Sequence, residues 1–190
     1  MIDRLIDATE AVLVVIDVQE RLAAAMSSCD TVVSAISRLV RAAHELEMPV
    51  IYTEQYPRGL GTSVPELADA LVGAYGPVEK VSFDACNESA FVSALEATGR
   101  RQVVLVGMEM HICVAQTALH LLEDGYRVHV VADAVCSAEP SDGVVALERL
   151  RAAGAEVSVS ESVIYEALGE AGTDRFRSIL AIIKERSPAE

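Results

Sequence analysis

Apolar residues along this chain fall into short continuous runs, separated by stretches in which they recur every three or four positions. The run from Ala11 to Ile16 is largely β-branched, the pattern of a strand buried on both faces. It is cut off by Asp17. Val33, Ile36, Leu39, Val40 and Leu46 then keep helical spacing and predict a helix over 30–47. Pro49 opens a second strand, 50–53. Residues 54–62, with Pro57, Gly59 and Gly61, read as a loop. Ser63 to Glu66 has capping-box spacing with a proline in the first turn, which predicts a short helix to about residue 72.

Residues 73–77 read as another loop and 78–80 as a short strand ending in Lys80. Asn87 can cap a helix through 97, stopped by Thr98-Gly99. A fourth strand, 103–106, breaks at Gly107 and leads through Met108, Glu109, Met110 and His111 into a helix carrying Cys113, which Asp124-Gly125 stops. A strand over 127–132, a helix over 140–153, a strand over 156–159 and a helix over 173–186 complete the chain. Six strands alternating with helices imply parallel pairing with crossovers of one hand. The expected fold is one doubly wound α/β domain over 1–190, a six-stranded parallel sheet in the order 3-2-1-4-5-6 with helices on both faces.

Composition narrows the function. With 190 residues and 52% hydrophobic content, the chain can bury a sizeable core. A net charge of −14 disfavours nucleic acid and anionic membranes, which reward basic patches. No apolar run reaches the roughly 18–20 residues that span a bilayer. No secretory signal is recognisable, so a cytoplasmic protein with reduced thiols is expected. Cys29, Cys86, Cys113 and Cys136 are widely spaced, with no zinc-type spacing. No metal and no cofactor are expected from that pattern.

Three chemically capable residues stand where predicted strands end: Asp17, Lys80 and Cys113. In an open parallel sheet these ends share one edge, where ligands bind. Each has an ordinary alternative: Asp17 as a helix cap, Lys80 as a solvated strand end, Cys113 as a small core residue. Cys113 also follows a strand at a helix start, whose free amides favour a thiolate. The Asp17 charge opposes this, and the sequence leaves the balance open.

Three segments, VLVVIDVQE (12–20), VEKVSFDAC (78–86) and VVLVGMEMHICVAQTALHLLEDGYRVHVVADAV (103–135), resemble the isochorismatase-like cysteine hydrolases over nearly the whole chain. TEQYPRGLGTSVPEL (53–67) is similar to the isochorismatase domain-containing branch. The resemblance implies an Asp–Lys–Cys triad at Asp17, Lys80 and Cys113. It also implies a non-proline cis peptide at Met108–Glu109, with the amides of Glu109 and Cys113 as an oxyanion hole. Relatives that hydrolyse nicotinamide carry an Asp-x-His metal motif after strand two; Thr53-Glu54-Gln55-Tyr56 lacks it. Relatives that cleave an enol ether lack the cysteine. The implied activity is cysteine-dependent, metal-independent hydrolysis of the C–N bond of a small amide. Gln19, Glu54, Gln55, Tyr56 and His111 are candidate substrate contacts, and a homo-oligomer is expected as in most relatives. A non-hydrolytic binding protein on the same fold is the alternative. A thiol-redox protein ranks lower, since no second cysteine adjoins Cys113.

Overall fold

In the computed structural model, which describes residues 5–185, the six strands are β1 (Ala11–Ile16), β2 (Val50–Gln55), β3 (Tyr75–Lys80), β4 (Gln102–Met108), β5 (Arg127–Cys136) and β6 (Glu156–Ser158). They form one sheet in the order β3-β2-β1-β4-β5-β6, and every pairing is parallel. This is the expected topology. The chain runs outward from β1 to one edge, then returns to β4 beside β1 and runs to the other. The carboxyl ends of β1 and β4 therefore flank the switch point.

Alternation along the strands assigns the two faces. Leu13 and Val15 of β1, with Val104 and Val106 of β4, join the core under α2 (Cys29–Glu45), α7 (Ser160–Leu168) and α8 (Asp174–Lys184). Val12, Val14, Ile16, Val103 and Leu105 face the core under α4 (Ser89–Thr98), α5 (Ala115–Glu123) and α6 (Pro140–Ala153). Both faces of the central strands are dry, as their unbroken hydrophobic runs predict. Among the described residues no helix is long and apolar enough to cross a membrane.

Local departures from the sequence expectations have physical causes. The helix expected over 63–72 is a single 3-10 turn at Pro65–Leu67, and β3 begins at Tyr75 inside the expected loop 73–77. Within the expected loop 54–62, Pro57–Leu60 forms a helical turn, α3; Glu20–Ala23 forms another, α1. Helix α7 was not expected at all. Asp133 makes it: its carboxylate accepts from Ser160 N at 2.7 Å and Ser160 Oγ at 2.6 Å, a cap reaching across 27 residues that no local pattern reveals. The last helix, expected to reach residue 186, runs to Lys184; residue 186 lies outside the described residues. Its Ile179 and Ile182 are buried against α2 rather than left free.

Candidate active site

Asp17 is the first residue past β1, and its φ of 51° places it in the left-handed region. Aspartate tolerates that region better than most residues, at some cost. Next to it, Gly107 of β4 lies against the β1 backbone. A Cβ at Gly107 would overlap the carbonyl oxygen of Ile16, and its φ is +122°. Only glycine permits so close an approach. The two strand ends are thus drawn together just where Asp17 turns inward and the chain leaves β4 for Cys113.

Lys80, the last residue of β3, lies one strand beyond β2, yet its ammonium reaches Asp17. Nζ forms an ion pair with Asp17 Oδ2 at 2.6 Å, and both side chains are fully buried, 0% exposed. Thr53 of β2 donates Oγ1–H to Asp17 Oδ1 at 2.6 Å. Lys80 also donates to Gln55 Oε1 at 2.6 Å, with the carbonyls of Ser82 and Phe83 at 3.3 and 3.4 Å. A buried charge pair is costly unless its remaining donors and acceptors are met; those of Lys80 are, while Asp17 Oδ2 has the ammonium beside it and no hydrogen bond of its own.

The chain leaves β4 through a Met108–Glu109 peptide that is cis, as the family resemblance implied. It then makes a wide π-type turn, Met110–Val114, in which Val114 N donates to Glu109 O at 3.2 Å. Such turns recur at functional sites. Cys113 sits in it, buried, and Asp17 and Lys80 are the two charged groups that act on its thiol. Burial pushes the thiol up most, the Asp17 carboxylate pushes it further, and Lys80 only partly offsets them; the result is about 12. The competition left open by sequence goes against the thiolate: at rest Cys113 carries its proton.

The other candidates divide. Gln55 braces Lys80 and donates Nε2–H to Val81 O at 2.7 Å. Gln19 is fully buried: its amide donates to Gln55 O and Gly61 O and accepts from Gln55 N at 2.7 Å. It pins 55–61 to β1. Glu54 accepts from Ser63 N and Oγ at 2.6 and 2.8 Å, anchoring the other end of that segment. Tyr56 is exposed. His111 is half-buried, with Nδ1 2.8 Å from Ser137 Oγ and Nε2 3.7 Å from Asp142. The Glu109 side chain accepts from Ala138 N at 2.9 Å. A broad groove of about 820 Å³ along α1 and α2, near Met26, Asp30 and Arg38, takes in none of the three triad positions. Thr53 and Ser137 were missed by sequence reasoning. Thr53 meets Asp17 only through the register of β2 against β1, which no local pattern carries, and Ser137 carries no signal either.

Comparison with known proteins identifies the family. The model of the isochorismatase domain matches residues 11–162. The chain belongs to that family. Isochorismatase domain-containing protein 2 of Xenopus laevis is 39% identical over 178 residues, 94% of this chain and 85% of that protein. Among solved structures, MAR1 ribonuclease from Caenorhabditis elegans superposes with a TM-score of 0.89 at 34% identity, covering 97% of this chain and 95% of that one. YcaC from Pseudomonas aeruginosa, solved with hexane-2,5-diol and covalent acrylamide, gives 0.88 at 28% identity and covers 96% and 93%. YcaC from Escherichia coli, described as an octameric hydrolase of unknown specificity, gives 0.82 at 26%, covering 94% and 87%. The family and these neighbours support hydrolysis as the reaction type.

Proposed function

We propose that this family member hydrolyses the C–N bond of a small amide through an acyl-thioester on Cys113. The observation that carries the reading is the convergence of a thiol, a carboxylate and an ammonium at one buried point, Cys113 with Asp17 and Lys80. Asp17 is built to accept a proton. Thr53 and Lys80 hold its two oxygens, and each oxygen retains lone-pair capacity for the thiol. As Sγ attacks the substrate carbonyl carbon, its proton passes to Asp17. The amides of Glu109 and Cys113 receive the developing oxyanion, a contribution of about 3–4 kcal/mol per donor in enzymes of this kind. Collapse breaks the C–N bond, and the leaving amine takes the proton from Asp17. Water then attacks the thioester, giving its proton to Asp17. The carboxylic acid leaves, and Cys113 recovers its proton. These steps need no metal.

The Lys80 ammonium sits beside the Asp17 carboxylate and offsets charge on the sulfur. The covalent acrylamide of the Pseudomonas YcaC structure is consistent with a reactive nucleophile on that related fold, since acrylamide is captured by addition to its double bond. The net charge of −14 and the full burial of Asp17 and Lys80 speak against a polyanionic substrate such as RNA, despite the name of the nematode neighbour. A cytoplasmic homo-oligomer completes the proposal, in keeping with the octameric YcaC.

The test is intact mass after incubation with small primary amides, hydroxamates and carbamates, wild type beside Cys113→Ala. An acyl adduct or product is expected with wild type alone. Full turnover by Cys113→Ala would sink the mechanism. The absence of adduct and turnover across the panel would favour a binding protein that keeps the fold.

A further inference from the structure

Two residues with no role in this chemistry meet a third at the other side of the β3–α4 connection. Asp84 and Cys86 lie in that connection, and His120 lies on α5, 34 residues further along than Cys86. Asp84 Oδ2 is 2.7 Å from His120 Nδ1. One ligand atom from each of Asp84, Cys86 and His120 lies within 4.8 Å of the others. We propose that these three side chains form a site for a zinc ion.

The arrangement has the parts of a metal site. Sulfur, imidazole nitrogen and carboxylate oxygen together are the donor set of a borderline-soft divalent ion, and three protein ligands leave a fourth position for water. The supporting contacts orient the donors. Asp84 Oδ1 accepts from the Cys86 backbone N at 2.9 Å, which leaves Oδ2 for the ion. On the far side of the imidazole, Asp124 Oδ2 lies 3.7 Å from His120 Nε2, the place of the carboxylate that orients a ligating histidine. Thr117 Oγ1 accepts from Ala85 N at 3.0 Å and fastens the connection to the helix that carries His120.

An entry path exists as well. The His120 side chain is 37% exposed, and a cavity of about 310 Å³ lined by Cys86, Leu121, Asp124 and Tyr126 opens beside it. Metal–ligand bonds of about 2.0–2.1 Å at tetrahedral angles require Oδ2 and Nδ1 to part to roughly 3.3 Å. Side-chain rotation supplies so small a movement. Binding exchanges the proton between Asp84 and His120 and the Cys86 thiol proton for bonds to the ion, both protons going to solvent.

The consequence reaches the triad. The same connection supplies the Ser82 and Phe83 carbonyls that accept from Lys80. A metal here clips that connection to α5, the helix that follows Cys113. The site itself does not depend on the hydrolase reading.

Cobalt(II) titration of the reduced, full-length protein tests it. One ion per chain is expected, with the visible bands of tetrahedral cobalt and a thiolate-to-cobalt charge-transfer band, all displaced by zinc. Cys86→Ser should abolish the charge-transfer band, and Cys113→Ala should keep it. Asp124→Asn should keep the band and weaken binding about 10–100-fold. Weak, non-stoichiometric cobalt binding, a band that survives Cys86→Ser, or a band lost in Cys113→Ala instead would overturn the proposal. His120→Ala gives an independent check should Cys86→Ser not fold.

Discussion

Asp17→Asn should make Cys113 more reactive toward an alkylating reagent while making the protein a poorer hydrolase. In the wild type the thiol is held up to about 12, so at pH 8 roughly one molecule in ten thousand carries the thiolate. The negative charge of Asp17 contributes to this. Two like charges about 4 Å apart at an effective dielectric near 20 repel by about 4 kcal/mol. Removing one of them raises the thiolate population about a thousand-fold. The Lys80 ammonium, deprived of Asp17, then has the thiolate as its counter-charge, which works in the same direction. A thiolate loses intrinsic nucleophilicity as it becomes less basic, with a Brønsted slope of about 0.4–0.5. The net gain in iodoacetamide labelling is therefore about forty-fold. Amide turnover should fall about 10²–10⁴-fold, the usual contribution of a positioned general base. The assay is labelling followed by mass spectrometry at Cys113 between pH 7 and 9, alongside turnover and a thermal melt. Labelling no faster than wild type, in a variant that melts as a folded protein, would refute Asp17 as the group that keeps the proton on Cys113.

Lys80→Met should act in the opposite sense on the thiol. It leaves Asp17 buried without its counter-charge, slows labelling further, and costs about 3–5 kcal/mol in chemical denaturation, as breaking one partner of a buried pair does. Gly107→Ala should fail to give a stable fold at ordinary temperatures, because its Cβ meets the Ile16 carbonyl in a left-handed backbone; soluble yield and melting temperature report it. Stability should also fall at both ends of the pH range. Burial raises the Cys113 and Cys136 thiols to about 12 and about 11, so their contribution is complete below the unfolded thiol value near 8.5 and is lost as pH climbs from there. Burial lowers His129, which is present as neutral imidazole in the fold, so its contribution is complete above about pH 6.5 and lost on acidification. Melting curves from pH 4 to 11 should peak between these limits.

Sheet order and strand positions were legible because a parallel sheet buried on both faces leaves unbroken apolar runs, and right-handed crossovers leave few ways to connect them. The three reactive residues were legible for a related reason: each stands at or just beyond the carboxyl end of a strand, Asp17 and Cys113 after unbroken apolar runs and Lys80 at the end of the short edge strand. The supporting contacts were not. Thr53 and Gln55 become partners of Asp17 and Lys80 only once β2 is placed between β1 and β3, a fact of register rather than of local sequence. The same limit hid the cap from Asp133 to Ser160 and, with it, α7. Gln19 was a candidate substrate contact; in the structure all of its amide contacts go to the 55–61 segment. The approach of Cys86 to His120 leaves no local pattern, because a helix and a strand, α4 and β4, lie between them in the chain.

Three features at the switch point oppose stability. A buried ion pair between Asp17 and Lys80 is replaceable by apolar side chains at no loss to the fold, and often with a gain. Asp17 occupies a left-handed backbone conformation that a glycine would hold with less strain. Cys113 interrupts regular helix with a wide turn. A protein selected only to keep this sheet, or to bind a ligand on its surface, has no use for any of them. A redox thiol would want the reverse electrostatics, an exposed sulfur with a depressed pKa, whereas Cys113 is buried and protonated. In the proposed mechanism the three features together serve a thiol that gives its proton to a neighbouring carboxylate, with a cation alongside to offset the charge. That is the requirement of acyl transfer through sulfur, and it is why the hydrolytic reading outweighs a binding or redox role on this fold.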